Sequence, residues 1–225
     1  MEWKKSGIMV SMALMLGACA HRTPAPVTAD VASFNPKVRC SADVDPEHRV
    51  VLEMVDTLMA RGKNHAALAH LQESVQSNQE YWQRYGQLLA KNGDLQRASL
   101  VFTAMRDKCE SGEAFHGLGM IALKQNNLDK ALGDFETAVN LSPASAAVRN
   151  DYGYALLLAG QYDNAQYHLR TALELQNGNG QSRQNLAVAY LLGHNQAGLE
   201  LLQETYHFTD DELAYAKKLA GQMEK

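Results

Sequence analysis

Proline is nearly missing from most of this 225-residue chain: the five stand at 24, 26, 36, 46 and 143, so residues 47–142 and 144–225 carry no helix breaker. Basic charge is in short supply as well. The net charge is −4, and leaving out residues 1–18, with Lys4, Lys5 and Glu2, makes it −5. No basic patch remains for nucleic acid or acidic lipid. Long apolar runs are absent after the first twenty residues, and nothing later approaches the roughly 20 apolar residues of a membrane-spanning helix. Cysteine occurs only at 19, 40 and 109, without the paired spacing of a metal site, and no His-Glu-x-x-His stretch occurs among the eight histidines. What is present is 46% hydrophobic and 20% charged residues, an ordinary globular balance with material for a sizeable core.

The first twenty residues have a basic start, Lys4-Lys5, a short apolar centre over 8–16, and small residues before Cys19, which is the pattern of a signal peptide. Leu16-Gly17-Ala18-Cys19 resembles the bacterial lipobox. That resemblance implies cleavage before Cys19, a covalent lipid on its thiol and acylation of the new amino terminus, with no other cofactor. Ala20, standing where Asp would signal inner-membrane retention, implies the outer membrane, facing the periplasm. Residues 1–18 are then the signal peptide and 19–46, with four of the five prolines, a flexible lipidated tether spanning roughly 30 Å. In an oxidising compartment Cys40 and Cys109 are free to pair, and the sequence leaves open a bridge or two free thiols.

From residue 47 the chain repeats itself. Residues 115–143 read Phe115-x2-Leu118-Gly119-x2-Ala122, Ala131-x3-Phe135-x2-Ala138, Pro143, and 34 residues on stand Tyr152-Gly153, Leu156, Ala165-x3-Leu169-x2-Ala172. Going back 33 gives Trp82-x2-Tyr85-Gly86-x2-Leu89 and Ala98-x3-Phe102. This pattern resembles the tetratricopeptide repeat. It implies an all-α fold, a right-handed superhelical solenoid of about five helix hairpins over 47–225, with repeats at about 48–78, 79–111, 112–145, 146–179 and 180–208 and a capping helix at about 210–223. The flanking units are weaker: Val55 stands at the glycine position of the first, and in the last Ala197 follows Ala187 by 10 residues where the others have 12.

No catalytic constellation stands out, and the chain is read as a binding protein and not an enzyme. Gly117-x-Gly119-x2-Ala122 lies inside a repeat helix with no preceding strand, so it is packing and not a dinucleotide loop. His65 and His70 share no face with an acidic partner, no Gly-x-Ser-x-Gly turn occurs, and no metal site is expected. In tetratricopeptide arrays the first helix of each hairpin lines a concave surface. Carried over by position, that surface presents a polar row of Gln83, His116, Asn150 and Gln184. Beside it run Gln87, Met120, Tyr154 and Val188, then Ala90, Leu123, Leu157 and Leu191. A protein segment is the expected ligand, with amides for its backbone and the apolar row for its side chains, and with no nucleic acid or small-molecule substrate. The two-Lys, two-Asn clamp of chaperone-tail-binding members is absent.

A narrower resemblance lies over 148–201. Val148-Arg149-Asn150-Asp151-Tyr152-Gly153, Ala159-Gly160-Gln161-Tyr162-Asp163 and above all Ser182-Arg183-Gln184-Asn185-Leu186-Ala187-Val188-Ala189-Tyr190 are similar to the Tad-type (Flp) pilus assembly lipoproteins. That resemblance implies a scaffold that helps a pilus secretin assemble or reach the outer membrane. Type IV pilus pilotins and lipoprotein adaptors for periplasmic proteases or peptidoglycan hydrolases are the alternatives.

Overall fold

The computed structural model describes residues 31, 33–41, 43–178 and 180–224. The signal peptide, Cys19 and half of the expected tether lie outside them. Among the described residues the chain forms α1 (Pro46–Ala60), α2 (Asn64–Gln72), α3 (Gln79–Lys91), α4 (Leu95–Cys109), α5 (Gly112–Lys124), α6 (Leu128–Leu141), α7 (Ala146–Leu158), α8 (Tyr162–Leu175), α9 (Gln181–Leu192), α10 (Gln196–Tyr206) and α11 (Asp210–Met223). These are five antiparallel hairpins followed by one helix, an all-helical solenoid. None of the described helices is long and apolar enough to cross a membrane.

Local chemistry sets the helix starts. Asp45, Asn78, Asp94, Ser111, Asn127, Ser145, Asn195 and Thr209 each accept a hydrogen bond from a first-turn backbone N–H that would otherwise lack a partner. Thr209 and Glu212 form a full capping box at α11. Each hairpin turns through one residue with positive φ: Gly62, Gly93, Asn126, Gly160 and His194.

Close approach within a hairpin needs a residue without a side chain at one point. A Cβ on Gly86 would lie 2.8 Å from the Phe102 ring, one on Gly119 2.8 Å from Phe135, and one on Gly153 2.5 Å from Leu169. Phe102 is clamped from the next hairpin too, since a Cβ on Gly117 would come within 2.5 Å of it. These rings are therefore the material between hairpins, which is how each unit buries the face its neighbour leaves open. In the last hairpin the small residue opposite the ring is Gly198, whose Cβ would meet Tyr190 at 2.5 Å, while Ala197 is exposed. The spacing is thus one residue short and not two, which corrects the assignment made from Ala197.

Residues 34–41, read above as part of the tether, are instead docked on the first two hairpins. Val38 is buried in one cluster with Leu71, Tyr81 and Met105, and the ring of Phe34 stacks on Tyr85 with centroids 6.2 Å apart. The Arg39 N–H donates to the Ser77 carbonyl at 2.7 Å and the Gln79 N–H to that of Ser41 at 3.2 Å. A disulfide joins Cys40 to Cys109. This strap lies alongside α4, from Arg97 in its first turn, whose guanidinium sits over Phe34, to Cys109 at its end. Its physical occasion is the short α2, nine residues against fifteen in α4 and fourteen in α6 and α8. The missing turns leave apolar surface that the strap covers.

Candidate partner-binding groove

Two adjoining clefts open on the side lined by the first helices. One, of ≈ 430 Å³, lies between α7, α9 and α11 and is lined by Tyr154 of α7, Tyr215 and Leu219 of α11, and the amides Asn150, Gln184 and Asn185. The other, of ≈ 370 Å³, lies between α3, α5 and α7 and is lined by Gln87, Ala90, Lys91, Met120 and Lys124, with Phe102 beneath. Asp151 borders both.

Asp151 is the node of a polar chain that crosses three hairpins. Its Oδ2 meets His116 Nε2 at 2.7 Å, and its Oδ1 accepts from the Asn150 amide at 2.9 Å. Asn150 Oδ1 in turn accepts from the Asn185 amide at 3.0 Å. The Gln184 amide donates to the Glu212 carbonyl of α11 at 3.4 Å. The expected row of partner-facing amides is corrected accordingly. His116, Asn150 and Gln184 bond other parts of the chain, because polar groups stacked at one repeat position lie within reach of the next repeat. Among the described residues no hydrogen bond is formed by the side chains of Gln83 and Gln87, both half-buried.

The apolar row divides as well. Tyr154 is 40% exposed, but Leu157 and Val188 are 3% and 2% exposed, in one cluster with Ala216 and Ala220 of α11. These two belong to the core and not to the groove, since α11 packs across α9. Leu191 is half-buried at the edge of the same cluster, and Met120 and Leu123 flank the Phe135 cluster. Sequence reasoning missed Tyr215, Leu219 and Asp151. Tyr215 and Leu219 are four apart, one face of a helix read only as a cap, and that spacing was the available signal.

The tetratricopeptide repeat model matches residues 52–113 and 116–182, more than half of the chain. The chain belongs to the tetratricopeptide repeat family. A TPR repeat-containing protein of Pseudomonas aeruginosa is 32% identical over 165 residues, which are 73% of this chain and 67% of that one. Among solved structures, a thermophilic TPR protein of Thermus thermophilus superposes with a TM-score of 0.60 at 18% identity, covering 78% of this chain and 97% of its own. YrrB, a TPR protein with an unusual peptide-binding site, gives 0.51 at 20% identity, over 75% and 90%. At such identities the likeness is one of fold. The tetratricopeptide fold is generally a non-catalytic scaffold for protein–protein interaction.

Within this tetratricopeptide array the stretch Arg183-Gln184-Asn185 fastens the cap. Arg183 donates to the backbone carbonyls of Tyr206 at 2.6 Å and His207 at 2.7 Å, pairs with Glu212 at 2.8 Å and stacks over Phe208. The Glu212 carboxyl is held below its ordinary range by hydrogen bonds from Thr209 and Arg183, which outweigh its desolvation.

Near hairpin four, burial and the Arg149 guanidinium push the pKa of His168 down to about 4. Arg149 can only donate, so His168 Nδ1, 3.3 Å from its Nη1, is the acceptor and the ring is neutral. The rings of Tyr152 and Tyr167 face it from either side, and Arg149 is the only charged group against it among the described residues. The unfolded chain takes up this proton near pH 6.5 and the folded one only near 4, so stability from this site is complete above 6.5 and declines as pH falls toward 4. Replacing His168 by Gln keeps an acceptor for Arg149 and should flatten the fall in melting temperature between pH 7 and 4 by a few degrees, as followed by circular dichroism. Equal slopes in both proteins would remove His168 from the account.

Proposed function

We propose that this tetratricopeptide protein is an outer-membrane lipoprotein, facing the periplasm, that holds an extended segment of a secretin subunit during assembly of a Tad/Flp-type pilus. The observation that carries the binding part is the pair Tyr154 and Tyr215, 40% and 53% exposed, lining one cleft whose amides Asn150 and Asn185 are already bonded within the chain. Rigid aromatic walls offer much contact area at small entropic cost, which suits a partner's apolar side chain. The secretin and the pilus come from the resemblance over 148–201, and the outer membrane from the lipobox and Ala20.

Tyr154→Ala and Tyr215→Ala should each weaken secretin binding by about 1–3 kcal/mol while leaving the melting temperature nearly unchanged, because neither ring is part of the packing between hairpins. Secretin multimers and surface pili should fall without loss of this protein. A stable double variant that supports normal multimers and pili would rule the groove out. The membrane address is tested separately: Cys19→Ser should keep the helical circular dichroism signal and move to the soluble fraction, and retention on membranes through a high-salt wash would reject the lipid anchor.

A further inference from the structure

The second cleft has a chemistry of its own. Lys91 and Lys124 end α3 and α5 and both line it, yet neither ammonium makes an ion pair or hydrogen bond with any described residue. The cleft's one carboxylate, Asp151, has both oxygens engaged, by His116 and Asn150. A lysine in the last turn favours its helix dipole, which accounts for a basic residue at each helix end. It does not account for two exposed, unpaired cations lining one cleft with the Gln87 amide and the half-buried Met120, with no free anion among the lining residues. This happens in a chain of net charge −4, so it is not part of a general basic surface.

We propose that this cleft takes an acidic side chain of the bound segment, so that the partner carries Asp or Glu a few residues from the apolar side chain held between Tyr154 and Tyr215. The inference rests on the reading of the groove given above. The clefts meet at Asp151, so a single extended segment filling one runs on into the other, and the carboxylate is then a side chain of a continuing strand and not a chain end. Lys91 and Lys124 supply the charge, Gln87 a directional donor, and Met120 the contact for the methylene stem of the acid.

The test uses the full chain and short fluorescent peptides with both ends blocked, sharing one extended sequence with a single Phe and carrying at a fixed distance from it two Glu, two Gln or two Lys. A further Gln peptide has a free C-terminal carboxylate. Fluorescence anisotropy at low ionic strength should rank Glu over Gln by about tenfold and Gln over Lys, with the margin shrinking as salt is added. Lys91→Gln with Lys124→Gln should bring the Glu peptide to the level of the Gln peptide, while Tyr154→Ala should weaken both by the same factor. Glu and Gln peptides that bind equally and remain sensitive to Tyr154→Ala would overturn the acidic site and leave the groove reading standing. A free C-terminus that matches the Glu peptide would overturn the side-chain assignment. A chain that binds none of the peptides would overturn the groove reading and this inference together.

Discussion

Phe135→Ala should lower the free energy of unfolding by about 3–5 kcal/mol, the range for emptying a large aromatic site in a core that cannot close the gap. Phe135 is 0% exposed, sits on Gly119 of its own hairpin and faces His116 and, in the next hairpin, Tyr152. It therefore belongs to two units at once. In a nearest-neighbour array such a loss weakens one coupling in the middle, so denaturant unfolding should broaden as the two flanks uncouple. At about 2–4 °C per kcal/mol for a chain of this size, the melting temperature should drop by roughly 10 °C. A loss under about 1 kcal/mol would show that the neighbouring rings refill the site.

Removing the Cys40–Cys109 bridge should have an effect of the same order. The two cysteines are 69 residues apart, and closing a loop of that size restricts the unfolded chain by about 4 kcal/mol in the chain-entropy model. The double variant Cys40→Ser, Cys109→Ser should keep its helices, because Phe34 and Val38 still pack, and should unfold at markedly lower denaturant. A variant as stable as the parent would show that the strap's contacts, and not the covalent link, close this end. Thiol labelling of the unreduced, denatured parent should leave Cys40 and Cys109 unmodified.

The hairpins were legible because the repeat couples two signals that share one cause. Gly86, Gly119 and Gly153 recur at the register of Phe102, Phe135 and Leu169, and each glycine is small because that ring or leucine needs its place. The strap was not legible. Phe34, Val38 and Cys40 are spaced 4 and 2 apart around Pro36 and so keep no single helical or strand period, and what holds them is a surface left bare by the shortness of α2. The groove was legible in part. Tyr154 faces solvent as its repeat position implied, yet Asn150 and Gln184 at the position beside it turn to Asn185 and Glu212, and Leu157 and Val188 disappear under α11. Repeat position tells which way a side chain leaves its helix. It does not tell whether a neighbouring repeat already supplies the partner. Arg183 shows the same limit, since a stretch singled out for family likeness fastens the cap.

The strap also decides how a pull on the amino-terminal end would travel through the molecule. An array of stacked hairpins peels most easily from its ends, where a unit has a single neighbour. Tension applied at Phe34 reaches Cys40 and crosses the disulfide to Cys109, bypassing α1, α2, α3 and α4, which all lie within the covalent loop between them. The first two hairpins are thereby taken out of the line of force, and the load arrives at the junction of α4 and α5, a place flanked by structure on both sides. Under traction from that side the protein behaves as though tied at its second hairpin, and the weak point shifts to the opposite end, where α11 is kept in place by Arg183 and a packed apolar face with no covalent tie among the described residues.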